Sequence, residues 1–393
     1  MSHGRSSLVH ALLAAGTVLS STVLIPAVRP FMGDHHGAPE AAFHAFMTVN
    51  LVGGAIGAPI LARWAERLQH PGRLLTILCV LDGLLLLACI APMPVSLLLG
   101  VRSVQGAANL GGLSLIMGAA TRGPADGGRS VGGVGAAVMV GVAAGAPLGT
   151  LALGLGPWGP ALVGGFIQLL VAVGTLRLAG WTQRPVEPTG GAPGHWRPAL
   201  WVAVERFGVG ALVVSFALYA RQVHGLSDAW TGRAFAWFMV PFVGVVYPAT
   251  RLAHEHRRTL VVVGGLAVYG LSLASLGVLD VALLPLAMLV CGVASAFVYG
   301  ASLRAAVHAV APEQRSRAMA SLNAAGGVGM LVGTAGAGIL TTVWRAAGGE
   351  PSVVYPALFA LIGVCQWLAA LSAVARQPLA QRGESPGIAP QLP

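Results

Sequence analysis

Twelve stretches of this chain each run for about 20 residues with few charges, the length that crosses the hydrocarbon core of a bilayer as a helix. They fall near 8–28, 42–62, 74–92, 94–119, 130–154, 158–180, 198–220, 230–250, 259–278, 281–303, 318–343 and 352–375. Apolar residues surround each stretch instead of alternating along it, which fits helices and not the strands of a barrel. Hydrophobic residues make up 55% of the chain and charged residues 9%, more apolar surface than a water-soluble core of this size uses. The fold class that follows is an all-α membrane protein with twelve transmembrane helices.

The net charge of +10 alone would suit a nucleic-acid partner, but the positions of the charges exclude one. All 23 basic residues are arginine. With the N-terminus in the cytoplasm, most of them fall at the inner ends of the stretches, and only Arg29, Arg221, Arg233 and Arg345 lie toward the other side. That asymmetry is the positive-inside rule, so both termini are expected in the cytoplasm. Abundant Ala, Gly and Arg without Lys suggests a GC-rich bacterial genome, hence a multi-pass protein of the bacterial cytoplasmic membrane. The bilayer is then its constant partner, and a monomer is expected.

Catalytic signatures are missing. A chain without Lys has no phosphate-binding loop of the Gly-x-x-x-x-Gly-Lys type. Gly128–Gly132 spells Gly-x-Ser-x-Gly, but no strand is expected to lead into it as a nucleophile elbow requires, and neither His-Glu-x-x-His nor Cys-x-x-Cys occurs. Cys79, Cys89, Cys291 and Cys365 sit singly in apolar stretches and read as small core residues. His35, His36 and His44, with Asp34 and Glu40, match no standard metal-ligand spacing. No enzyme, cofactor or metal is expected.

The chain divides near its middle. WTQRPVEPTGGAPGHWR (181–197) is rich in Pro and Gly and long enough to link two bundles. Residues 1–180 and 198–376 then form six-helix halves, and 377–393 is a cytoplasmic tail without regular structure. A repeat supports the division. Arg129 is followed by Gly141 and Gly145, and Arg317 by Gly329 and Gly333 at the same spacings, an offset of 188 (317 − 129). Duplicated halves with a substrate site near mid-depth between them are typical of secondary transporters.

Three motifs carry a resemblance to the major facilitator superfamily (MFS). ARWAERLQHPGR (62–73) resembles the family's turn Gly-x-Leu-Ala-Asp-Arg-x-Gly-Arg-Arg, with Trp64, Ala65, Glu66, Arg67, Gly72 and Arg73 in matching places, Ala62 for the first Gly and Gln69-His70-Pro71 inserted. RSVQGAAN resembles Arg-x-x-Gln-Gly, with Arg102, Gln105 and Gly106 in register. GVAAGAPLGT resembles the drug/proton antiporter motif Gly-x-x-x-Gly-Pro-x-x-Gly-Gly, where Gly141, Gly145 and Gly149 match, Pro147 stands one place late and Thr150 replaces the last Gly. The resemblance covers the whole helical region. It implies that Glu66 engages the start of the eleventh helix, near Arg317–Met319, when the cytoplasmic side is closed. The glycine stripe at i, i+4 and i+8 is expected to let the fifth helix pack closely and to serve as a pivot between the halves.

Charges inside the stretches cost several kcal/mol unless paired or hydrated, and so mark function. At about 1.5 Å per residue, Asp82 and Arg102 lie at similar depths, about 13 and 12 Å into consecutive stretches, and are expected to pair. Glu205 and Arg206 are adjacent, do not share a helix face, and are expected to find partners elsewhere. These four are the proton-coupling candidates. Gln105 and Asn109 share the face of Arg102 and, with Asn50 and Asn323, are the cavity candidates; each also reads as an interhelical hydrogen bond. The expected function is secondary transport by alternating access, with proton-coupled efflux of a small lipophilic compound. Proton-linked import of a small metabolite, and a non-transporting receptor or scaffold on the same fold, are the alternatives.

Overall fold

A computed structural model of the protein describes residues 3–28, 30–120, 127–178, 180–181, 196–254, 257–311 and 314–375. Most of the expected linker (182–195) and the tail 377–393 lie outside the described residues. Twelve α-helices are present among the described residues: α1 His3–Thr22, α2 Glu40–Arg67, α3 Pro71–Ala88, α4 Val95–Ala120, α5 Gly127–Ala152, α6 Gly159–Thr175, α7 Trp196–Gln222, α8 Asp228–Leu252, α9 Arg258–Ser275, α10 Leu284–His308, α11 Arg315–Ala346 and α12 Pro351–Ala375.

Two departures from the sequence reading have simple causes. The first stretch, expected to run helically to residue 28, ends as an α-helix at Thr22. Ile25–Ala27 then forms a 3-10 turn and Pro30–His35 a π-helical turn. Pro26 and Pro30 each lack the N–H that an α-helix needs. Among the described residues, eleven helices are long and apolar enough to cross a membrane. The one left out is α4, long enough at 26 residues but lowered in hydropathy by Arg102, Gln105 and Asn109. Those side chains are tolerated because α1, α2, α3 and α11 enclose the helix.

The repeat is visible in how helices pair. α1 packs on α5 and α7 on α11; α2 packs on α4 and α8 on α10; α3 packs on α6 and α9 on α12. Each second pair is the first advanced by six helices. The offset of 188 reappears in contact detail. Gly141 of α5 lies against the Ala15 carbonyl of α1, and Gly329 of α11 against the Ala203 carbonyl of α7, with 141 + 188 = 329 and 15 + 188 = 203. Lipid offers helices no hydrophobic drive to associate, so close backbone approach at small residues is the main source of cohesion. Here the structure corrects the sequence reading: Gly141 and Gly145 press on Ala15 and Thr22 of α1, and Gly149 on Val23 just beyond it, all in their own half. They form a seam within one bundle and not a pivot between two. Among the glycines of α5 whose surroundings are described, Gly132, beside Tyr247 and Thr250, and Gly135, beside Val246 and Leu303, meet the other half.

The apolar core is distributed unevenly along the bundle. One cluster joins both halves at the end where α2 meets α3: Ala65, Leu74 to Cys79, Ala108 to Ala120 and Val134 to Met139 from the first half, with Val202, Phe242, Val246, Ala296 to Val307 and Ala318 to Leu322 from the second. At the opposite end each half has a core of its own, one around Phe31, Phe46, Leu86 and Leu98, the other around Phe216, Phe238, Met288 and Phe359. The halves are therefore fused at one end and separate at the other.

A Cβ at Gly149 would overlap the Val23 carbonyl and one at Gly333 the Phe207 carbonyl, whereas Gly244 has open space around it. Gly149→Ala and Gly333→Ala are expected to lose about 1–3 kcal/mol through forced repacking, with a lowered Tm in detergent. Gly244→Ala, in a helix interior, is expected to gain up to about 1 kcal/mol.

Candidate functional site

Between the shared core and the two separate cores lies a polar layer, and helix after helix contributes to it at the same level. On α3, Asp82 falls between Leu78 and Cys79 of the shared core and Leu86 of the separate one. On α4, Arg102 and Gln105 fall between Leu98 and Ala108. On α7, Glu205 and Arg206 fall between Val202 and Val209, and on α10 Ser295 falls between Ala294 and Ala296.

In the first half the layer is a closed network. Asp82, Arg102, Gln105 and Asn109 are all buried, at 0, 1, 0 and 5% exposure. Asp82 and Arg102 were expected to pair directly; instead Gln105 stands between them. Its side-chain oxygen accepts from Arg102 Nη1 at 2.5 Å and from Asn50 Nδ2 at 2.6 Å. Its amide nitrogen donates to Asp82 Oδ1 and, at 3.3 Å, to Ser21 Oγ. The amide dipole is thus aligned with its carbonyl toward the cation and its N–H toward the anion, which stabilises both charges without contact between them. Asn109 Nδ2 completes the carboxylate with a 2.7 Å bond to Asp82 Oδ2 and a 3.0 Å bond to the Thr17 carbonyl. The Arg102 guanidinium also lies 5.0 Å from the ring centre of Phe46, a cation–π contact. Gln105 reaches its position because Gly106 lets α4 close onto the Asn50 carbonyl of α2.

The second half is built differently. Glu205 is wholly buried, accepts a hydrogen bond from Ser295 Oγ, and lies 3.3 Å from Arg206 Nε. The sequence reading separated these neighbours because adjacent residues point about 100° apart on a helix. Their length overrides the angle: the arginine stem folds back so that its Nε reaches the carboxylate. The Arg206 guanidinium then stands 4.8 Å from the Tyr299 ring centre and 5.4 Å from that of Phe242, with Nη2 3.8 Å from the sulfur of Met139 in the first half. Tyr269 and Gln366, both buried beside Gly208, belong to the same layer; Tyr269 was not singled out in the sequence, because one tyrosine in an apolar stretch reads as core.

Two side-chain hydrogen bonds between the halves lie at the fused end. Arg317 Nη2 donates to Glu66 Oε2 at 2.5 Å, with the glutamate only 3% exposed. Asn323 Nδ2 donates to Ser114 Oγ at 3.1 Å, and so joins α11 to α4 near the end of the bundle. Of the other residues in the turn, Gly72 is buried, while Trp64, Arg67 and Arg73 are exposed. Asn323 therefore bridges the halves within the fused end, and Asn50 serves the Gln105 network.

Replacing Gln105 by Leu removes the bridge and leaves two buried charges without their shared partner, a loss of about 3–5 kcal/mol. Gln105→Leu is expected to unfold at markedly lower temperature, and Asp82→Asn, which removes one charge and keeps an acceptor, to cost less. A Gln105→Leu protein with unchanged Tm would show that the amide does not hold the two ends.

The family model described as Major Facilitator Superfamily matches residues 11–204 and 199–390, one match for each half. Among solved structures, the crystal structure of the human organic anion transporter MFSD10 (TETRAN) superposes with a TM-score of 0.72 at 17% identity, covering 93% of this chain and 100% of that one. No curated protein sequence matches. The likeness to the human structure is one of fold, and the family matches span nearly the whole chain. The chain belongs to the Major Facilitator Superfamily.

Proposed function

We propose that the protein is a proton-coupled secondary transporter that moves a small organic compound by alternating access between its two halves. The observation that carries this reading is the one-sided core. With the termini in the cytoplasm, as the arginine distribution argues, the fused end is cytoplasmic and the separate end faces outward. The Glu66–Arg317 pair then lies across the closed inner gate and acts as its latch, with Asn323–Ser114 beside it. Opening inward breaks both contacts and exposes the polar layer to the cytoplasm.

Asp82 and Glu205 are the coupling carboxylates in this proposal, since each is buried in the layer that either opening would reach. Arg102 and Arg206 are the cations that respond to their protonation. The helix-5 resemblance to drug/proton antiporters supports export of a lipophilic compound in exchange for protons. Import together with a proton is favoured by one specific observation, the pairing of buried Glu205 with Arg206. The human structure of the same fold is named for organic anions, which agrees with a charged organic substrate here.

One assay separates these readings. Inside-out vesicles are acidified within, and compounds are added outside while internal pH is followed. Export by antiport gives compound-dependent loss of internal protons in wild type, abolished in whichever of Asp82→Asn and Glu205→Gln removes the coupling carboxylate. Cotransport moves the proton with the compound. Silence toward a broad panel, with folded protein in the membrane, would leave a non-transporting receptor or scaffold.

The latch has its own test. A charge-assisted hydrogen bond is worth about 1.5–3 kcal/mol, so Glu66→Gln is expected to shift the closed-to-open ratio by roughly tenfold or more. Turnover should fall while Tm stays close to wild type, and the exchange Glu66→Arg with Arg317→Glu should recover part of it. Unchanged turnover in Glu66→Gln would reduce the pair to a membrane-edge anchor.

A further inference from the structure

The two buried acid–base clusters differ in what they present to a ligand. In the first half the cation is sealed, with Arg102 only 1% exposed. In the second half the anion is sealed and the cation is not: the side chain of Glu205 is 0% exposed and that of Arg206 is 16% exposed. Arg206 is also where the shared core stops, about 15 Å along α7 from Trp196. Anything entering between the separate ends of the halves meets a guanidinium before it meets a carboxylate.

That guanidinium has unused capacity. A planar fork of five N–H donors matches the two oxygens of a carboxylate or sulfonate. Its recorded oxygen partners are Glu205, reached through Nε, and the Tyr299 hydroxyl, two partners for five donors, and Nη2 lies 3.8 Å from a thioether sulfur, a weak acceptor. Phe242 and Tyr299, their ring centres 5.9 Å apart, form an aromatic wall beside the charge, both buried, and they suit a flat apolar group attached to the anion. A cationic ligand would be repelled here, and a neutral one would leave the fork unused.

The carboxylate behind it is tied to the same event. The groups that act on Glu205 are Arg206 of its own helix and Ser295 of α10. The titratable neighbours, Tyr269 of α9 and Tyr299 of α10, carry no charge near neutral pH. Arg206 is therefore the one countercharge recorded for Glu205 among the described residues. A ligand anion that takes the fork competes for it, and a buried carboxylate without a cation is costly enough to take up a proton instead.

We propose that Arg206, walled by Phe242 and Tyr299, binds the anionic group of an aromatic organic acid, and that this binding places one proton on Glu205. The proposal rests on the transporter reading above and deepens it. It names the substrate class, and it makes substrate and proton co-ligands of the second half. Met139 brings the first half to the same guanidinium, so the site spans the interface that alternating access rearranges.

Binding to purified protein in detergent tests this without requiring transport. The probes are 2-naphthoate and its neutral counterpart 2-naphthamide, measured by titration calorimetry in buffers of different ionisation heat, which counts protons. Expected for wild type are at least tenfold tighter binding of the acid than of the amide, uptake approaching one proton, and affinity falling about tenfold per pH unit as pH rises, the slope for one linked proton. Glu205→Gln should bind the acid with no proton uptake and little pH dependence. Arg206→Gln should lose at least tenfold in affinity for the acid and none for the amide, and Arg206→Lys should fall between.

Equal binding of acid and amide would overturn the proposal. So would proton uptake that survives in Glu205→Gln, or failure of folded wild-type protein to bind the acid at all. The transporter reading fails separately, if the acid binds as described and vesicles show no compound-dependent proton movement.

Discussion

A charge inside a bilayer needs a partner, and the placement of four such charges organises this protein. Asp82, Arg102, Glu205 and Arg206 sit at one level, each costing several kcal/mol if left alone. Their partners come from different helices: Gln105 and Asn109 of α4, Asn50 of α2 and Ser21 of α1 in one half, Ser295 of α10 and the rings on α8 and α10 in the other. Satisfying the charges therefore fixes how the helices of each half stand relative to one another. Above and below the layer the core can be purely apolar. The change from one shared core to two separate ones occurs across it.

Between that layer and the lipid, cohesion depends on glycine. The seams α1–α5 and α7–α11 bring backbone to backbone at Gly141, Gly145 and Gly149 and at Gly329 and Gly333. These contacts lie within halves, so each half is held as a rigid unit. The surfaces between halves depend more on side chains, although Gly118 meets Ser316 and Gly135 meets Leu303 there. They combine side-chain packing, as at Ala58, Ala62 and Ala320, with a few polar links such as Glu66–Arg317 and Asn323–Ser114. Backbone seams inside each bundle and replaceable side-chain contacts between bundles are what rocking of two rigid bodies requires.

The architecture was legible because it rests on length and period. Twelve apolar runs gave the helices, and an offset between two Arg-Gly-Gly sets gave the duplication, which recurs in the structure as Gly141 on Ala15 and Gly329 on Ala203. The four charged residues of the layer were also named from sequence, since an Asp or Arg inside an apolar run has no ordinary reason to be there. What could not be read was who meets whom. Depth along two helices says nothing of the distance between them, so the interposition of Gln105 between Asp82 and Arg102 was invisible. A helical wheel treats side chains as spokes, so the backward fold of Arg206 onto Glu205 was excluded in error. The glycine stripe announced close approach but not its partner.

The duplication also shows where the halves were free to diverge. Glu66 advanced by 188 is His254, so a histidine stands in the second half at the position of the first half's acid. His254 instead lies 3.4 Å from Arg304 Nη2, whose Nη1 donates to the Thr250 carbonyl within the same half. Among the described residues, the first turn reaches the other half through Glu66, and the described contact of His254 stays within its own half. For the alternating access proposed above, this asymmetry has an energetic reason. Two states exchange usefully only when they differ by a few kcal/mol, and one charge-assisted bond already supplies about that much. A second, symmetric ion pair would add its share to the closed state alone. A single strong latch beside weaker links such as Asn323–Ser114 keeps the gate closed at rest and still within reach of what binding at the polar layer can release.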